Sequence, residues 1–291
     1  MTQSRGRGSP VEHGFPRLDT VRQAITAVFR RLSAEGVRAY DVGLSPADAA
    51  FGPDEDLHLG AQRVASAVVR SLRLPEARVV VAFKPMRDAA VVEPGAGPVY
   101  FVEVNDRFRV HRGDLAAVLA HEVTHVLLHR LELTFPTTDA NEVLTDTAAT
   151  LLGPGRLLLD AYREDALTHR RLGYLTPEEF GFVLAKRAAF LDEDPSPWFT
   201  GPHAHEAWRR GRAHAARDLR RAPPAAAGAR ERLRYARRLR AGAAEFDRGP
   251  DGRGRVTFPC PVCGQGLRVP VRAGALRARC GLCRTVLECV T

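Results

Sequence analysis

The residues of this 291-residue chain best suited to chemistry are His121-Glu122-Val123-Thr124-His125. Histidines four apart on an α-helix differ by about 40° around the axis and share a face. Their neutral ring nitrogens can then reach one Zn²⁺, and the glutamate beside the first can reach a water held on that ion. Two nitrogen ligands and a carboxylate base suit metal-assisted hydrolysis. The competing reading is a pair of core histidines hydrogen-bonded to backbone or carboxylates. A catalytic zinc usually takes three protein ligands, so a third is required. Downstream stands Asn141-Glu142-Val143-Leu144-Thr145-Asp146. Glu142 and Asp146 are again four apart, on the next predicted helix. One carboxylate could bind the metal, and the other could accept the free ring N–H of a ligating histidine.

A second constellation lies at the C-terminus. All five cysteines fall in the last 32 residues. Cys260-Pro-Val-Cys263 and Cys280-Gly-Leu-Cys283 are separated by sixteen residues, a spacing that fits a zinc ribbon. A Cys₄ site is closed, so this second Zn²⁺ is expected to be structural. So short a module cannot stand on a hydrophobic core alone, and metal would supply its folding free energy. Redox chemistry is the alternative for the CxxC pairs. Cys289 reads as a packed thiol.

HExxH followed by NExxxD resembles the gluzincin metallopeptidases of the thermolysin type, and both motifs stand here intact. The resemblance covers roughly residues 99–153, about a fifth of the chain. It implies a zincin-like fold, His121, His125 and Glu142 as zinc ligands, Glu122 as general base, and Asp146 as the carboxylate behind a ligating histidine. It also implies peptide bonds as substrate, where spacing alone says only hydrolysis. In that fold the run Val99–Val104 would edge the cleft and pair with an extended substrate, an ordinary core strand being the alternative. His129 extends the row of histidines but sits about 12 Å along the axis from His121, too far to share a tetrahedral metal. Tyr162, His169, His203 and His205 are candidates for an oxyanion-stabilising group, although none stands in a motif. The C-terminal module is similar to small rubredoxin-like zinc ribbons over about 256–288.

These residues need elements to hold them. Leu18, Val21, Ile25, Val28, Phe29 and Leu32 recur at helical spacing, with Gly36 as the stop. A second helical pattern covers 60–73. Strand-like runs follow at Val79–Phe83 and Val99–Val104, joined by the loop EPGAGP. Residues 114–131 form the motif helix, with Asp114 as a candidate cap. A helix over 138–152 ends at Gly153-Pro154-Gly155, and 156–173 reads as helical too. Thr176-Pro177-Glu178-Glu179 is a helix start with a capping box. Basic helical patterns cover 203–221 and 225–245. The expected division is a disordered segment over 1–16, a zincin-like domain over 17–200, a basic helical segment over 201–246, a linker over 247–255 and the ribbon over 256–291. The fold class is α+β: mainly helical with a small sheet, plus a small β ribbon.

Composition sets the outer bounds. Apolar residues are 45% and charged residues 26%, which excludes a wholly disordered chain. Residues 201–291 hold 20 Arg against 7 acids, a balance of +13, which leaves −4 for residues 1–200 out of the net +9. A basic arm for a protein or nucleic-acid partner would produce such asymmetry. So would an Arg-rich coding bias, which the presence of only two lysines, Lys84 and Lys186, also suggests. No signal peptide or apolar stretch long enough to cross a bilayer is visible, so a cytoplasmic protein without membrane contact is expected. The functional expectation is a zinc-dependent metallopeptidase acting on a peptide or protein. The alternative is a zinc-ribbon binding or regulatory protein whose HExxH domain is a sensor or inactive scaffold.

Overall fold

The computed structural model describes residues 12–41, 44–52, 54–74, 76–164, 169–170, 173–218, 255–259, 266–270, 275–280 and 286–290. The fold is mixed α and β. Helix α1 (Leu18–Arg38) buries the apolar row read from the sequence. It does not stop at Gly36. The helix breaks at Ser33, whose φ of 67° leaves the helical region, and restarts with the Ser33 hydroxyl accepting the Gly36 N–H at 3.2 Å. The short helix α2 (Pro46–Ala49) precedes α3 (Leu57–Ser71), which Asp56 caps by accepting the N–H groups of His58 and Leu59.

A three-stranded sheet follows. Strand β1 (Arg78–Lys84) pairs in parallel with β3 (Val99–Asn105), and β2 (Ala90–Val92) pairs antiparallel with β3. The order is β1-β3-β2, so β3 is central and β2 forms an edge. The expectation that Val99–Val104 edges the cleft is corrected: the alternating burial of Tyr100, Val102 and Val104 makes it a core strand.

Helix α4 (Arg112–Arg130) is buried on most sides, and carries Leu115, Val118, Leu119, Val123, Val126 and Leu127 into the core. His111 precedes it, and Asp114 lies inside the first turn, where its negative charge suits the helix dipole. Helix α5 (Thr138–Leu152) ends at Gly153, as expected. Residues 156–173 depart from expectation. Helix α6 (Arg156–Asp160) is short, and β4 (Arg163–Glu164) and β5 (His169–Arg170) then form a hairpin. The apolar pattern ends at Tyr162, and no later apolar row exists to bury a helix face. Thr176 makes the predicted capping box with Glu179 and starts α7 (Pro177–Leu191).

Helix α8 (Pro202–Arg217) packs closely on α7 through two glycines. A Cβ on Gly181 would lie 2.2 Å from the Ala207 carbonyl oxygen, and one on Gly211 would lie 2.1 Å from the Gly181 backbone. Asp218, just after α8, pairs with Arg22 of α1 at 3.0 Å and with Lys186 of α7 at 3.8 Å. The boundary expected at residue 200 therefore falls inside the folded body. The N-terminal boundary moves as well. Gly14 donates its N–H to Glu178 at 3.1 Å and accepts the Thr176 hydroxyl at 2.6 Å, so residues 12–16 are held against the start of α7.

The C-terminal module contributes two antiparallel hairpins, β6 (Arg255–Pro259) with β7 (Gly266–Pro270), and β8 (Ala275–Arg279) with β9 (Val286–Val290). Cys280 follows β8 and is buried. Cys260, Cys263 and Cys283 lie outside the described residues, as do the second basic helix at 225–245 and the linker at 247–254. Arg279 pairs with Glu76 of the main body at 3.1 Å. Among the described residues no helix is long and apolar enough to cross a membrane.

Candidate metal centre

Helix α4 presents His121 and His125 on one face, and α5 brings Glu142 against them. The loop between the two helices is short, and Asn141 fixes it: its side-chain oxygen accepts the Phe135 N–H at 2.7 Å. Thr137 caps α5 by accepting the Ala140 N–H. The first residue of the NExxxD motif thus shapes the turn that aims the second.

One ligand atom from each of His121, His125 and Glu142 lies within 4.8 Å of the other two. His121 Nε2 is 3.0 Å from a Glu142 oxygen and 3.1 Å from His125 Nε2, which is itself 3.4 Å from Glu142. Two nitrogens and one carboxylate oxygen therefore point at a common volume. The open ring nitrogens are already aimed from behind. His121 Nδ1 meets Asp146 at 2.8 Å, and His125 Nδ1 meets the Thr145 hydroxyl at 3.3 Å. Because Thr145 donates its own proton to the Asn141 carbonyl, it is left to accept from His125. Both histidines thereby turn Nε2 toward the shared volume, the orientation a metal needs.

The electrostatics ask for a cation there. Burial works against a charged His121, but hydrogen bonds to Asp146 and Glu142 outweigh it and raise the group to about 10. Burial pushes the Glu142 carboxyl up, yet His121 and His125 hold it down at about 2. The set suits a divalent cation that takes imidazole and carboxylate ligands, zinc among them.

Glu122 lies beside these three candidate ligands and is buried, which raises its carboxyl above the ordinary range. The Val92 backbone N–H faces it and pulls the other way. That N–H therefore points away from β3 and into the cleft, and strand alternation turns Ala90 to the same edge. The cleft has a volume of about 390 Å³, lined by β2 with Asp88, Ala89 and Pro94 on one side. Val118, His121, Glu122, His125, Glu142, Leu158, Gly173 and Tyr174 form the rest.

Asp146 does more than face a histidine. It is fully buried, and its second oxygen accepts the N–H groups of Tyr174 and Leu175, at 2.5 and 3.0 Å. Gly173 makes this approach possible, with φ of 91° and no room for a Cβ, which would sit 2.7 Å from the carboxylate. The Tyr174 ring then lies over His121 at 6.2 Å, with 23° between planes. Burial, with Glu142 and Asp146 nearby, raises the Tyr174 hydroxyl above its usual value.

Sequence reading missed Tyr174, Thr145 and the β2 edge. Thr145 shares the helix face of Glu142 at three residues' distance, a signal that was present. Tyr174 reaches the cleft from a loop and carries no local signature. None of the four oxyanion candidates lines this cleft. Tyr162 packs near His13 and His203, His205 packs on Phe199, and His169 belongs to β5. His129 is exposed and lies beside Gly95, away from the three-residue group.

Compared with protein families, with curated proteins and with solved structures, the chain matches none.

Asp146→Asn tests the support behind His121. The amide keeps the volume but loses the charge, and it cannot accept from three donors as a carboxylate does. Metal affinity at the cleft should fall about 10- to 100-fold, the usual effect of removing such a partner. Competition with a chromophoric chelator measures it, and an unchanged affinity would show that Asp146 only ties the Tyr174 loop.

Proposed function

We propose that this chain is a zinc-dependent hydrolase of the gluzincin type that cleaves peptide bonds. The observation that carries the reading is the convergence of His121, His125 and Glu142 at an open cleft with the Glu122 carboxylate beside them. Zinc held by those three side chains would polarise a carbonyl and make a bound water acidic.

The chain's own residues divide the remaining work. Glu122 takes the proton of the attacking water and passes it to the departing amine. Its burial suits this exchange, because a carboxylate with a raised pKa is the better base and still a competent acid. The Val92 backbone N–H, which faces the carboxyl, favours its charged form and so helps it act as the base. Tyr174, at the rim of the cleft, can direct its hydroxyl at the oxygen on which charge develops. The cleft-facing edge of β2 offers the backbone groups of Ala90 and Val92 to an extended substrate, which would add as a further strand. β2 takes the part first expected of Val99–Val104. The three donors, the base and the strand edge together favour a peptide over a small ester.

The test uses the full chain purified with its zinc and a broad peptide mixture read by mass spectrometry. New termini should appear, disappear after treatment with a strong chelator, and return when zinc is restored. Absence of cleavage by fully zinc-loaded protein across the mixture would move the assignment to a metal-binding sensor or scaffold.

A further inference from the structure

Helix α6 borders a second cavity besides the metal cleft. Leu158 lines the cleft, whereas Arg156, Leu157 and Ala161 line a cavity of about 560 Å³. Its walls are largely apolar, with Phe51 and Trp198 supplying aromatic surface. The first turn of α4 opens into it at Arg112 and Gly113.

Arg156 is the feature that needs explaining. It is only 7% exposed. Its Nε donates to the Gly153 carbonyl at 3.2 Å, and its guanidinium lies 4.0 Å over the Trp198 ring. Among the described residues its two terminal amino groups meet no acceptor, and no carboxylate lies within ion-pair distance. Arg187, buried to a similar degree, shows the ordinary solution. It donates to the carbonyls of Leu151 and Tyr40 and to the Glu193 carboxylate. Glu193 acts on Arg156 only from a distance, and a guanidinium this buried with no acceptor bonded to its fork is costly unless something else supplies the partner.

We propose that this cavity binds a small organic carboxylate with a planar apolar body. The anionic end would meet the free fork of Arg156 and the positive end of α4. There the Gly113 backbone is open to close approach, since nothing lies within 4 Å of where a Cβ would stand. Arg112 adds positive charge, with one amino group already donating to the Glu55 carbonyl at 2.7 Å. The apolar body would lie against Trp198 and Phe51. Asp160 also lines the cavity, and its oxygens accept the Thr200 N–H and hydroxyl at 2.7 and 2.6 Å. That resident negative charge favours a monoanion over a phosphate dianion. Burial and the nearby Arg187 hold the Arg156 guanidinium down at about 10, with the more distant Glu193 carboxylate pulling the other way. The inference does not depend on the hydrolase reading, because none of the metal-site residues lines this cavity.

The test is a titration of the full chain with phenylacetate, followed by NMR of the indole N–H resonances. The chain has two tryptophans, so Trp198 and Trp208 give one signal each. The Trp198 signal should shift saturably while the Trp208 signal stays, and neutral phenylacetamide should leave both in place. Inorganic phosphate should compete weakly. Arg156→Gln should weaken phenylacetate about tenfold or more, the usual worth of a lost charge-assisted hydrogen bond, with zinc content unchanged. A Trp198 signal unmoved by phenylacetate, or moved equally by the amide, overturns the proposal without any variant. So does an Arg156→Gln protein that keeps its Trp208 signal and binds phenylacetate as tightly as the parent.

Discussion

Glu122→Gln should keep its zinc and lose its turnover. The amide has nearly the same volume, and its oxygen can still accept the Val92 N–H. It contributes none of the three donor atoms that gather at the candidate metal site. What it cannot do is take a proton from water. Losing a general base typically costs about 10²–10⁴-fold in rate. Zinc content, thermal melting and fold should therefore match the parent while peptide cleavage falls by that factor. A variant that cleaves at the parental rate would remove Glu122 from the mechanism. The binding-protein alternative predicts instead that the substitution is silent in every readout, so one protein preparation separates the two readings.

Glu142→Ala and His125→Ala should fail in the opposite way, losing metal and activity together. Each removes one of the three side chains that could hold a metal ion, contributed by only two helices. With two ligands left, zinc would be held by groups that also hydrogen-bond to each other, and occupancy after dialysis should fall well below one equivalent. Glu142→Ala also removes the carboxylate that, with Asp146, draws positive charge onto His121. Metal analysis of both variants beside Glu122→Gln is the decisive comparison. Retention of zinc by Glu142→Ala would mean that the third ligand lies elsewhere.

The grouping of His121, His125 and Glu142 was legible in the sequence because its geometry is local. Two residues four apart share a helix face whatever the surrounding fold, and the short turn after α4 leaves α5 little choice but to pack beside it. The order of Glu142 and Asp146, left open by spacing, is set in the structure by depth. Glu142 keeps 16% of its side chain exposed at the cleft, and Asp146 keeps none. Other parts were not legible for equally physical reasons. Strand β2 has three residues, too few to show alternation, and exists because β3 offers it an edge. Tyr174 arrives through a backbone turn held by a buried carboxylate 28 residues earlier, and no local pattern encodes that contact. Residues 156–173 began with apolar spacing that resembled a helix. Only the burial available around α6 decided where it stopped.

The close crossing of α7 and α8 bears on how short a fragment carrying the His121, His125 and Glu142 cluster can be made. A truncation after residue 200, natural as that cut looks from the sequence, would strip α8 from α7 and open the seam between Gly181 and Gly211 to water. It would also remove Asp218, leaving Arg22 and Lys186 without the carboxylate they share. Lys186 is already held down at about 8 by its burial, and without Asp218 that side chain would shed its proton or drag water inward. A fragment that keeps this seam and its buried ion pairs must therefore run at least through Asp218.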